Sequence, residues 1–90
     1  MFKTLEERRA VVCAREMAER LSKGATADET SFDGKRLHVL LGWISGHCTC
    51  DHCRDIAKAY DTSRKIYTAG DLPHARAAAR RVSNILAHVV

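Results

Sequence analysis

The chain has 90 residues, 46% of them hydrophobic and 29% charged, with one proline, a composition that excludes disordered and fibrous chains. It predicts one domain, with a core small enough for a metal staple to matter. No apolar run approaches a membrane span, and Met1 through Glu7 lack the apolar block of a signal peptide, so a cytoplasmic protein with reduced thiols is expected.

The formal net charge is +4, from 15 Lys and Arg against 11 Asp and Glu, which is basic without approaching a nucleic-acid-binding tail. Residues 47–90 carry 7 basic and 4 acidic side chains, against 8 and 7 in residues 1–46, so most of the excess lies with and after a cluster of cysteines.

Thr4-Leu5-Glu6-Glu7 reads as a capping box, and no proline or glycine interrupts the chain from Leu5 to Lys23 before Gly24. A first helix is expected there, with Ala10, Cys13, Ala14, Met17 and Leu21 as its buried stripe. Cys13 is then a small core residue first and a candidate metal ligand second. Leu5 and Val12, a heptad apart on the other side, are scattered surface residues or the edge of a partner contact, including a homodimer.

Residues 24–33 lack periodicity and are rich in turn formers, which reads as a loop anchored by Phe32. Leu37, Leu40, Leu41 and Ile44 recur at helical spacing and predict a second helix over about residues 34–45, ended by Gly46 and weakened by Gly42. Trp43 is expected in the core. The competing reading is a hairpin turning at Asp33-Gly34, with Leu37 to Leu41 as a strand. A third helix over about 52–69 buries Ile56, Ala59, Tyr60, Ser63, Ile66 and Tyr67. A break at Asp61 to Ser63, followed by a short strand from Lys65 to Thr68, is its alternative. Asp71 as N-cap and Pro73 in the first turn open a fourth helix whose stripe is Ala75, Ala78, Ala79, Val82, Ile85, Leu86 and Val89. The expected fold is all-α, a four-helix domain over residues 1–90 with a metal-binding Cys/His loop between helices 2 and 3.

That loop, His47-Cys48-Thr49-Cys50-Asp51-His52-Cys53, holds three of the four cysteines and two of the five histidines. Zinc takes four N or S ligands in a tetrahedron, and a Cys-x-x-Cys turn such as Cys50 to Cys53 supplies two thiolates. In an extended segment Cys48 points to the same side as Cys50, so three sulfurs converge. The fourth ligand is open among His47, His52 and Cys13, with His38 and His74 behind them; His88 near the C-terminus is expected in solvent. An iron–sulfur cluster would need Cys13 as its fourth thiolate, and a redox dithiol would need a strong preceding strand, so a structural, zinc-stabilised site is favoured.

Cys50-Asp51-His52-Cys53-Arg54 leading into a helix resembles the helix-bearing knuckle of treble-clef zinc fingers. The resemblance covers five residues and lacks the upstream Cys-x-x-Cys of that group, so no family is assigned.

No Gly-rich phosphate loop, nucleophile elbow, His-Glu-x-x-His or deaminase pattern occurs, so an enzyme is not expected. Two functions compete: a zinc-binding adaptor or inhibitor that docks on a larger protein complex, and a nucleic-acid-binding regulator. The second would use Arg54, Lys58 and Lys65 on helix 3 with Arg76, Arg80 and Arg81 on helix 4 to track phosphates. The ordinary alternative for these residues is a solvated helix face.

Overall fold

The computed structural model describes residues 5–47 and 52–89, and every regular element among them is an α-helix: α1 (Leu5–Lys23), α2 (Ala27–His47), α3 (Cys53–Thr68) and α4 (Leu72–Ala87). The four expected helices are present, and neither strand alternative is realised among these residues. Thr4, the cap expected for the first helix, lies outside the described residues.

The largest departure is the start of α2. Residues 27–33, expected as loop, are its first two turns. Their turn-forming composition is that of a helix cap: the Thr26 hydroxyl oxygen accepts from the Glu29 backbone N–H at 3.2 Å, and the same hydroxyl donates to the Glu29 carboxylate at 3.0 Å. Thr30 N–H donates to Thr26 C=O at 2.9 Å, closing the first helical turn. Asp28 and Glu29 place negative charge at the positive end of the helix dipole. Asp33-Gly34 is therefore helix interior and not a hairpin turn.

The other caps follow the sequence. Asp71 accepts from the His74 backbone N–H at 2.9 Å, with Pro73 in the first turn of α4. α3 runs unbroken through Asp61 to Ser63 and ends where Ala69 N–H bonds Lys65 C=O at 3.1 Å, just before Gly70.

α1 packs on α2 and α4, and α3 packs on the same two, so α1 and α3 lie diagonally across the bundle without touching. The direction of packing shows in which residues meet across α2 and α3. Gly34 faces Ile66, His38 faces Ser63, and Gly42 faces Tyr60, so one number rises as the other falls and the two helices are antiparallel. Short connections, 24–26 and 69–71, give the same up-and-down course elsewhere.

One core cluster draws on all four helices: Val11, Ala14, Ala18 and Leu21; Leu37, Leu41 and Ile44; Ile56, Ala59 and Ile66; Ala78, Ala79, Val82 and Leu86. Each fully buried Leu, Ile or Val in this set contributes roughly 1.5–3 kcal/mol relative to exposure. The alanines of α4 let α1 and α3 approach closely, as their spacing predicts.

Three expected core residues face outward. Cys13 is exposed; the fully buried stripe of α1 runs through Val11, Ala14, Ala18 and Leu21, with Ala10 and Met17 partly buried against it. Ala10 to Ala14 is apolar at five consecutive positions, so periodicity could not fix the phase of this helix; packing on α2 and α4 did. Phe32 is 65% exposed and Trp43 45%. Both sit on the side of α2 opposite Leu37, Leu41 and Ile44, which no other helix among the described residues covers.

The side of α2 toward α3 is built for close approach. A Cβ on Gly34 would lie 2.9 Å from Ile66 Cγ2, and one on Gly42 would lie 2.8 Å from Tyr60 Cε1. The helix-weakening glycines, each costing about 0.5–1 kcal/mol against alanine, are where α3 side chains press against the α2 backbone. Between them His38 stacks on Tyr60 at 4.3 Å and meets the edge of Tyr67 at 5.6 Å.

Candidate functional site

The sequence points first to the connection between α2 and α3. His47 is the last residue of α2; its ring stacks on Trp43 four residues earlier, at 4.7 Å between centroids, and its Nδ1 lies 2.8 Å from the Trp43 carbonyl oxygen. A nitrogen that close to a carbonyl carries the proton and donates it, which leaves Nε2 with its lone pair available. Histidines that bind metals are commonly oriented in this way. His52 precedes α3, half-buried, with Nδ1 3.7 Å from an Asp55 carboxylate oxygen, and Cys53 is the first residue of the helix. Backbone N–H groups at such a helix start favour a thiolate.

Cys48, Cys50 and Asp51 lie outside the described residues. Among the described residues no three His, Cys, Asp or Glu side chains form a group able to hold a metal. The remaining candidate ligands are spread over the bundle. Cys13 faces solvent from α1, which does not touch the helix bearing Cys53. His38 is engaged in the α2–α3 interface, with Nδ1 at 2.7 Å from Ser63 Oγ and 3.1 Å from the Tyr60 carbonyl. His74 pairs with Asp71, Nδ1 to Oδ1 at 2.7 Å, and His88 is exposed at the end of α4. The N–H and imidazole of His74 both stabilise the Asp71 carboxylate and hold it below its ordinary range.

The contact between His38 and Ser63 has the length of a nucleophile–base pair, yet Ser63 is fully buried and its hydroxyl donates to the Tyr60 carbonyl at 2.7 Å. No substrate reaches it. This pair joins two helices, with His38 Nδ1–H donating to Ser63 Oγ and both polar groups satisfied inside the interface.

The six basic candidates do not share one face. Lys65 and Arg81 line a groove of about 450 Å³ between the end of α3 and α4, together with His74 and Thr68. Arg54 and Lys58 are exposed on the first two turns of α3. Arg80 is exposed, whereas Arg76 is half-buried with its Nε shielded from solvent. The structure thus brings together Lys65 and Arg81, adds His74, and withdraws Arg76.

The outer face of α2 is the feature that sequence reasoning missed. Phe32, Val39 (70% exposed) and Trp43 lie along it, and with Lys35, Arg36 and Leu40 they line a shallow groove of about 530 Å³. The Arg36 guanidinium sits 5.8 Å from the Phe32 ring centre, a cation–π distance. The spacing of seven and four residues that links Phe32, Val39 and Trp43 is helical and was visible in the sequence. A helix starting near residue 34 leaves Phe32 on a loop and so hides the line, and the large apolar surface of Trp43 points to the core. A second groove on α1 holds Leu5, Val12 and the exposed Cys13 among Arg8, Arg9 and Glu16.

No helix among the described residues is long and apolar enough to cross a membrane. No family model, curated protein or solved structure matches this chain.

Proposed function

We propose that the protein is a small, non-catalytic interaction module of the cytoplasm, an adaptor or inhibitor that docks on a larger protein complex through the outer face of α2. The observation that carries this reading is the exposure of Phe32, Val39 and Trp43 in one line on a helix whose opposite side already fills the core. Large apolar side chains grouped on a surface mark interaction sites more often than chance. Each aromatic ring has one partner within the chain, Trp43 stacking on His47 and Phe32 lying under Arg36, which leaves less ring surface for base stacking.

In the same proposal zinc binds at the α2–α3 connection through Cys48, Cys50 and Cys53, with His47 or His52 as fourth ligand. The free Nε2 of His47 and the helix-start position of Cys53 support it. Such a site would fix the end of α2, and with it Trp43. Native mass spectrometry of protein purified without added metal should find near one zinc per chain, and Cys50→Ser should lower the melting temperature, since binding energy at a structural site is folding energy. Protein that stays metal-free after reconstitution under reducing conditions overturns the zinc reading.

The module reading is tested by photo-cross-linking in cells, with the cross-linker placed in turn at Leu5, Val39 and Arg81. Adducts to protein should form at Val39 and be weak elsewhere. Nucleic-acid binding is the second reading, favoured by the meeting of Lys65, His74 and Arg81 in one groove. It requires affinity for a random duplex tighter than the usual nonspecific range of about 10⁻⁴ to 10⁻⁶ M, falling with salt at a slope of about 0.9 per phosphate contacted.

A further inference from the structure

We infer that the partner element seated on α2 is an acidic amphipathic helix of about three turns, lying along the line from Phe32 to Trp43 with its apolar side in the groove. The inference rests on the module reading above and adds the chemistry of the partner. Three features of the groove select that occupant.

The first is length. Phe32 and Trp43 are eleven positions apart, which spans about 16 Å of helix, so a partner of roughly eleven or twelve helical residues covers the line from end to end. The second is shape. Val39 stands between the two aromatics, and the trough beside it accepts side chains that recur at i, i+3 or i+4 and i+7, the pattern by which an amphipathic helix fills a groove. The third is charge. Lys35 and Arg36 are the only charged residues in the lining among the described residues. The nearest carboxylate on the same helix, Asp33, is held toward α1 by Arg20 at 2.8 Å, and its side chain is only 15% exposed; its distance to Arg36 is 3.9 Å. The groove therefore presents the charge of Lys35 beside apolar surface, while Arg36 is shared between Asp33 and the Phe32 ring. A partner with Glu or Asp flanking its apolar stripe meets that charge, and a basic one is repelled.

The test is selection of helical binders from a surface-displayed library of random 14-residue peptides against the whole chain, counter-selected against Val39→Glu. Val39 is 70% exposed, so that substitution removes the apolar centre of the groove without touching the core. Enriched peptides should carry helical apolar spacing and an excess of Asp and Glu over Lys and Arg. A representative peptide should bind the Lys35→Glu, Arg36→Glu double variant about tenfold or more weakly, and bind wild type less well as salt rises. Enrichment of neutral or basic peptides overturns the inference. So does co-sedimentation of wild type, but not Val39→Glu, with phosphatidylserine vesicles when no peptide is enriched, which would assign the face to a lipid surface. A dimer in analytical ultracentrifugation that Val39→Glu dissociates would assign it to a second copy. Cross-linked protein adducts at Val39 without an acidic bias in the peptides reject this partner chemistry and leave the module reading standing. Absence of adducts at every position removes both.

Discussion

The two sides of α2 invert the usual relation between size and burial. Toward α3 the helix presents its smallest residues, Gly34 and Gly42, with His38 between them; toward solvent it presents Phe32, Val39 and Trp43. Folding explains the first set, since the α3 side chains Ile66 and Tyr60 occupy the space a Cβ would need. It does not explain the second. A Phe or Trp left this exposed gains less from folding than a buried one, so the contrast separates what this helix needs to be stable from what it holds out to something else.

That separation can be attacked by substitution. The largest effect should come from Leu41→Ala, which empties a fully buried position in the core, at a cost of about 2–5 kcal/mol and with a large drop in thermal midpoint. Gly42→Ala comes next. Despite the gain in helix propensity it should destabilise by about 1–2 kcal/mol, because the new Cβ would lie 2.8 Å from Tyr60 Cε1 and the ring, pinned by its stack on His38, cannot move aside without repacking. Gly46→Ala, whose Cβ would meet nothing within 4 Å among the described residues, is the matched control and should be neutral or stabilising in the same denaturant titration.

Asp71→Ala removes the N-cap of α4 and should lower the melting temperature by a few degrees, with Asp71→Asn retaining most of it. Because the folded carboxylate titrates below its unfolded value, its contribution is present above the unfolded value and is lost as pH falls through the folded one. Wild type and Asp71→Ala should therefore converge in stability in strong acid and differ at neutral pH. The smallest effect belongs to Val39→Glu, which should leave stability within about 0.5 kcal/mol of wild type. If it unfolds the protein, the outer face is part of the fold and the contrast fails.

Much of this architecture was legible in the sequence, and the misreadings share a cause. α3 and α4 have one apolar stripe each, so angle alone gave their buried sides, and Asp71-Leu72-Pro73 announced its own cap. α2 is apolar on two sides, Leu37-Leu41-Ile44 and Phe32-Val39-Trp43, and spacing cannot say which one the rest of the chain covers. The start of that helix was legible in Thr26-Ala27-Asp28-Glu29, a capping pattern hidden because the residues that cap helices also make turns. In α1, five apolar residues in a row leave the phase open, so spacing allows a buried stripe through Cys13, a position that packing puts outside. At the candidate site the short-range features could be read, His47, His52 and Cys53 flanking the connection. The groove that gathers Lys65, His74 and Arg81 depends on how α3 meets α4 and had no local signature.

The stack between Trp43 and His47 gives the molecule an optical reporter of its own state. Trp43 is the only tryptophan in the chain, and its indole lies 4.7 Å from an imidazole. Emission from this single fluorophore thus reports the local environment at the end of α2, and any change that separates or turns the two rings is read there without an added label.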